Sequence, residues 1–328
     1  MADFKDVIGH EQLILHLQNA VRQKKVSHAY LFCGEEGSGK RLIAEAFAKT
    51  LLCEKGGIAA CGTCKSCRQI ESGNHPDFKA VVREKASLGV KEIREQVTSD
   101  AQIKPYSSDY KVYLIDEAEK MTEEAQNALL KTIEEPRSYA VFLILTGRQE
   151  MLLPTILSRC ISLSLYPVAT EKIKRFLMER RGVPDYLAES AAVFSGGLVG
   201  RAVRYAESET FIEQRNEVLR LVKYIDEMTM AEVMETVKLF AAHKESAGEY
   251  LDLILLWYRD VLLFKAAKDV NSLLFRDEQE AVFAQAQKRS FENLQRIVDA
   301  IEQVKQRLKS NVNFENAVEL LLLCMKEV

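Results

Sequence analysis

One short stretch limits what this chain can fold into more than any other: Gly34-Glu35-Glu36-Gly37-Ser38-Gly39-Lys40. It follows the apolar run His28 to Cys33 and precedes a helical pattern from Arg41 to Leu52. Strand, glycine-rich turn and helix in that order build a phosphate cradle. Glycines at 34, 37 and 39 let backbone N–H groups approach phosphate oxygens, and the helix N-terminus adds partial positive charge. Lys40 is placed to meet the β- and γ-phosphates. One position is out of pattern. The residue after the lysine should be Ser or Thr, whose hydroxyl ligates Mg²⁺. Here it is Arg41, which cannot ligate a cation. The expectation is a degenerate nucleotide site, with ATP or ADP as weak ligands.

The first half of the chain supplies the sheet that such a loop needs. Phe78 to Val82, Val112 to Asp116, Val141 to Thr146 and Ile161 to Leu165 are further short apolar runs. Amphipathic stretches near Val90 to Ala101 and Glu123 to Ile133 separate them. Strands alternating with helices predict a mainly parallel sheet covered by helices. Val112-Tyr113-Leu114-Ile115 would deliver Asp116 and Glu117 beside the loop, where Asp116 organises Mg²⁺ and Glu117 polarises a water. A strand ending in a solvated acidic helix cap is the alternative.

From Thr170 onward no strand is apparent. Helical patterns cover Glu171 to Arg180, Tyr186 to Phe194, Arg201 to Glu207, Glu213 to Ile225, Ala231 to Ala242, Glu249 to Ala267, Asp277 to Gln287, Phe291 to Leu308 and Asn313 to Lys326. Leu294, Ile297, Val298, Ile301, Val304 and Leu308 recur at helical spacing on one face. The predicted fold class is thus an α/β P-loop domain at 1–167, a small helical lid at 168–208 and an all-α domain at 209–328.

Lys and Arg total 45 against 48 Asp and Glu, a net charge of −3. That balance argues against a bulk basic nucleic-acid binder. Neither a signal-peptide core nor a membrane-spanning run is visible, so a cytoplasmic protein without membrane contact is expected. Four of the seven cysteines, Cys53, Cys61, Cys64 and Cys67, crowd into one module at 53–67. Two overlapping C-x-x-C turns can aim thiolates at one ion, and four thiolates with no open position make a structural Zn²⁺ site. Reduced buried cysteines or a redox pair are the competing readings.

The chain resembles AAA+ clamp-loader subunits of the bacterial DNA polymerase III complex. Val7-Ile8-Gly9-His10 is similar to the family's adenine-side box, and Asn127 to Pro136 to a characteristic stretch of the family. Thr146 matches the polar tip of the sensor 1 strand, and Ser158-Arg159-Cys160 the arginine-finger motif. The resemblance implies nucleotide contacts at Val7, Ile8, Gly34, Gly37, Gly39, Lys40, Asp116, Glu117 and Thr146. It also implies that Arg159 acts in trans on a neighbour's nucleotide, that the last helices form an oligomeric collar, and that zinc binds at the four cysteines. Implied partners are motor and clamp-opening subunits and, through the assembly, a sliding clamp and primed DNA. Hydrolysing members carry an arginine in a Gly-x-x-Arg-Asp-Ala-like stretch. Here Gly197 to Ala202 puts Gly200 in that place, and Arg201 sits roughly 100° further round the helix. Together with Arg41, this departure points to a delta-prime-like member with little ATPase activity of its own. A hydrolysing motor subunit and a zinc-dependent nucleic-acid-binding module are the alternatives.

Overall fold

A computed structural model of the protein describes residues 3–83, 86–242, 247–270, 273–308 and 314–326; Asn313, where the last helix was expected to begin, lies outside them. Five strands, β1 (Ala29–Cys33), β2 (Phe78–Ala80), β3 (Lys111–Ile115), β4 (Ala140–Thr146) and β5 (Ile161–Ser164), form one sheet in the order β2-β3-β4-β1-β5. Every pairing is parallel. β1, β3 and β4 are buried along their whole length, which explains their nearly continuous apolar sequences.

Alternation along these strands divides the core in two. Leu31, Tyr113, Ile115, Phe142 and Ile144 face Ile93, Val97, Leu129 and Ile133. Tyr30, Phe32, Leu114, Leu143 and Leu145 pack on Leu17, Ile43 and Phe47. The helices concerned are α1 (Glu11–Arg22) and α2 (Lys40–Leu51) on the second face. On the first are the single turn α4 (Val90–Ile93), continued by a π-helical turn over Arg94–Thr98, and α5 (Glu123–Glu134). The amphipathic stretch expected over Val90 to Ala101 is therefore not one helix. It runs through α, π and then 3-10 geometry at Asp100–Gln102, which still buries Ile93, Val97 and Ala101 on one side. The short helix α3 (Lys65–Glu71) lies in the cysteine module, and α6 (Pro154–Leu157) precedes β5.

The chain divides into two units: residues 1–176 with 196–201, and residues 177–195 with 202–328. The breaks fall within α7 (Thr170–Arg181), just after α8 (Asp185–Phe194) and within α9 (Val199–Glu207). The second unit continues with α10 (Glu209–Tyr224), α11 (Met230–Ala242), α12 (Ala247–Ala267), α13 (Gln279–Lys288), α14 (Phe291–Leu308) and α15 (Phe314–Lys326). Ser208 starts α10 four residues earlier than the apolar pattern suggests, because its side chain accepts the Phe211 N–H. Trp257 is a core residue of this unit, fully buried, with its indole N–H donating to Gln285 Oε1 at 3.0 Å. Asp260, also fully buried, accepts the backbone N–H groups of Leu274 and Phe275 at 2.6 and 2.9 Å. No helix among the described residues is long and apolar enough to cross a membrane.

Candidate functional site

The strand order brings the expected site residues to one edge. β4 lies between β1 and β3, with Cys33 in register with Thr146 and Ile115 with Ile144. The loop after β1, the acidic pair after β3 and the tip of β4 therefore meet at the carboxyl ends of three adjacent strands, where open parallel sheets hold ligands. A cavity of about 410 Å³ lies there; of the expected residues, Gly37, Gly39, Lys40, Asp116, Glu117 and Thr146 line it. Gly34 anchors the loop instead, its N–H donating to the Thr146 carbonyl at 3.1 Å. Val7 and Ile8 are not among the lining residues; Val7 packs at the margin of the second core face.

Backbone geometry in the loop explains its glycines. Gly37 and Gly39 have φ of +88° and +95°, a region that side chains disfavour. Gly39 then caps α2, so the helix begins at Lys40. Lys40 Nζ donates to the carbonyls of Gly34 and Glu35 at 2.6 and 2.9 Å. Burial draws its pKa below the ordinary lysine value, opposed by Glu119 and Asp116.

The two departures from an active pattern have defined structures. Arg41 Nε pairs with Glu45 at 2.8 Å, and its Nη1 lies 3.5 Å from Asp116 Oδ2. A cation thus stands beside the carboxylate that would organise Mg²⁺, and the hydroxyl ligand is absent. These residues do not fit a magnesium ion. Gly200 donates its N–H to the Gly37 carbonyl at 2.8 Å. A Cβ at 200 would stand 3.1 Å from both Gly37 Cα and Gly37 O. The backbone at Gly200 thus rests directly on the glycine loop.

Glu117 is also engaged. Lys120 and Arg83 pair with its two oxygens, at 2.5 and 2.8 Å, and Lys120, followed by Arg83, holds its carboxyl below the ordinary range. Thr146 is fully buried, with its hydroxyl accepting the Arg148 N–H at 3.1 Å. Arg159 follows α6. Its Nη1 donates to the Thr155 carbonyl and to Ser158 Oγ, and its Nη2 pairs with Glu134 Oε1 at 2.8 Å. Sequence reasoning missed Arg83, Lys120 and Glu134. Their partners are distant loop or helix-end residues, or carry no periodic signal; only the i,i+3 spacing of Glu117 and Lys120 could have shown one of these pairs.

The four module cysteines converge. Their Sγ atoms all lie within 4.8 Å of one another, and Cys61 Sγ is 3.9 Å from Cys67 Sγ. A tetrahedron with Zn–S of about 2.3 Å has sulfur–sulfur edges of about 3.8 Å, so the group fits zinc. Backbone N–H groups of Thr63 and Cys64 point at Cys61 Sγ at 3.5 and 3.3 Å and favour its thiolate. Gly62, at φ +70°, makes the turn between them. Beneath the module, Ser66 Oγ donates to the Leu52 carbonyl and lies 2.8 Å from His75 Nε2. His75 therefore supports the module without being one of the four clustered ligands.

Parallel sheet, glycine loop, acidic strand end and helical C-terminal part define a protein of the AAA+ P-loop class. "DNA polymerase III, delta subunit" matches residues 9–169 and its C-terminal counterpart residues 209–326. DNA polymerase III subunit delta' of Bacillus subtilis (strain 168) is 31% identical over 315 residues, 95% of this chain and 94% of that protein. The chain belongs to the DNA polymerase III clamp-loader subunit family. Subunit tau of the same organism is 28% identical over 93% of this chain, which spans only 58% of that relative. A solved gamma-subunit-related DNA polymerase III protein from Thermotoga maritima aligns with a TM-score of 0.46 at 19% identity, covering 95% of this chain and 98% of that one.

Proposed function

We propose that this chain is a delta-prime-type scaffold of a clamp loader: it assembles with motor and clamp-opening subunits in the cytoplasm and offers Arg159 to a neighbour's ATP. The observation that carries this reading is the double disablement of its own site. Arg41 sits against Asp116 where a magnesium ligand should be, and Gly200 rests on Gly37 where the family's arginine would reach a phosphate. Glu117 is tied to Lys120 and Arg83 rather than left to a water. Such a chain binds nucleotide passively and hydrolyses little. Its division into a P-loop domain at 1–167, a lid at 168–208 and a collar at 209–328 serves assembly, and the sliding clamp and primed DNA are met through the complex. Zinc at Cys53, Cys61, Cys64 and Cys67 is structural.

Arg159 belongs to the neighbour's chemistry in this reading. A guanidinium can follow charge as it spreads over a transferring phosphoryl group, and such fingers contribute about 10³ to 10⁵ in rate elsewhere. The test is reconstitution with partner subunits. Arg159→Ala complexes should assemble yet lose most DNA-stimulated ATP hydrolysis and clamp loading, while Lys40→Ala complexes retain them. Normal rates from Arg159→Ala complexes would overturn the proposal.

A further inference from the structure

The geometry points to a nucleotide site that works without a divalent cation, with the Arg41 guanidinium standing where the metal would be; this rests on the passive nucleotide-binding reading given above. In an ordinary phosphate loop, a hydroxyl after the lysine and the acidic strand end share one Mg²⁺ that also holds the phosphates. Here the hydroxyl is gone and the carboxylate end of that bridge is met by Arg41 Nη1, 3.5 Å from Asp116 Oδ2. Arg41 Nε also pairs with Glu45 at 2.8 Å, one turn along α2. A divalent ion entering the same space would be repelled by that positive charge and would find one ligand fewer.

The site keeps what phosphate recognition needs. Gly37 and Gly39 hold the left-handed turns, Lys40 lines the cavity, and α2 starts at the loop. A planar guanidinium adds N–H donors that suit phosphate oxygens. At about 410 Å³, the cavity is of the size that small ligands occupy. With Glu117 held by Lys120 and Arg83, binding is uncoupled from water attack. The ligand class is a nucleoside di- or triphosphate taken up free of magnesium.

Fluorescence titration of the full chain with N-methylanthraniloyl-ADP, in Mg²⁺ and in EDTA, tests this. The two dissociation constants should agree within about twofold. Lys40→Ala should weaken binding equally in both conditions. Arg41→Thr, at a side chain 61% exposed, should fold normally and bind at least about tenfold more tightly with Mg²⁺ than in EDTA. Wild-type binding that needs Mg²⁺ would overturn the inference and leave the nucleotide reading intact, as would an Arg41→Thr protein that ignores Mg²⁺. Failure to bind in either condition, in protein that unfolds cooperatively, would remove the nucleotide reading itself and the inference with it. Binding indifferent to Lys40→Ala would place the probe elsewhere, with the same result.

Discussion

The ion pair between Arg159 and Glu134 sets a measurable cost on moving the arginine. Both side chains are 38% exposed and their charged atoms are 2.8 Å apart. A pair this open to solvent is worth about 0.2–1 kcal/mol. Glu134 is also the last residue of α5, where the helix dipole disfavours a carboxylate by about 0.3–1 kcal/mol. The two effects oppose each other, so Glu134→Gln should change overall stability by less than about 1 kcal/mol. A double-mutant cycle separates them. Urea unfolding of the wild type, Glu134→Gln, Arg159→Ala and the double variant should return a coupling of about 0.2–1 kcal/mol. If Arg159 acts in trans as proposed, it must first leave Glu134, and removing the carboxylate favours that step. The same energy corresponds to a rate gain of about 1.4- to 5-fold in DNA-stimulated ATP hydrolysis by Glu134→Gln complexes. A coupling above about 2 kcal/mol would show the pair to be a structural lock. A Glu134→Gln complex as inactive as Arg159→Ala would refute the tether and make the carboxylate part of the working site.

Three further outcomes are expected. Reduced protein should carry one zinc per chain by metal analysis, and Cys64→Ser should lose it and melt earlier, since structural zinc binds the folded site far better than the open chain. Asp77 is buried, which alone would raise its pKa, but the N–H groups of Tyr106, Ser107 and Ser108 hold it below the ordinary carboxylate range. Its stabilisation is therefore present above the unfolded-state pKa and lost as pH falls through the lower folded value. Asp77→Asn should cost about 1.5–3 kcal/mol at neutral pH, with the gap from wild type closing in acid, as read by pH-dependent urea unfolding. Gly200→Ala should lower the melting temperature, because a tight contact at 3.1 Å costs about 1–3 kcal/mol against a helix-propensity gain of about 1; a stabilised variant would mean that the phosphate loop yields freely.

The parts legible in the sequence are those with a short-range physical signature. β1, β3 and β4 announce themselves because strands buried on both faces are nearly continuous apolar runs, polar only at the end residues Lys111 and Thr146. The phosphate loop is legible because its glycines occupy left-handed backbone next to a helix start. The cysteines are legible because thiolates that share an ion must be brought close by tight turns, here at Gly62. What stayed hidden was charge pairing across the sheet edge. Arg41 and Asp116 are 75 residues apart; the motifs place both at the loop, but not the direct pairing of one with the other. The π-turn at Arg94–Thr98 was equally hidden, since its apolar spacing is close to that of an ordinary helix.

The contact of Gly200 with Gly37 has a consequence for how such a chain can change. Replacing Arg41 with threonine alone would restore a metal ligand but no phosphate-reaching arginine. Placing an arginine at 200 alone would push Cβ against Gly37, which must move by a few tenths of an ångström. Each single step towards hydrolysis therefore brings only part of the machinery, and the second strains the loop it is meant to serve. In the scaffold reading proposed above, turnover would sit behind a ratchet: two substitutions and a loop adjustment would have to come together before it could appear.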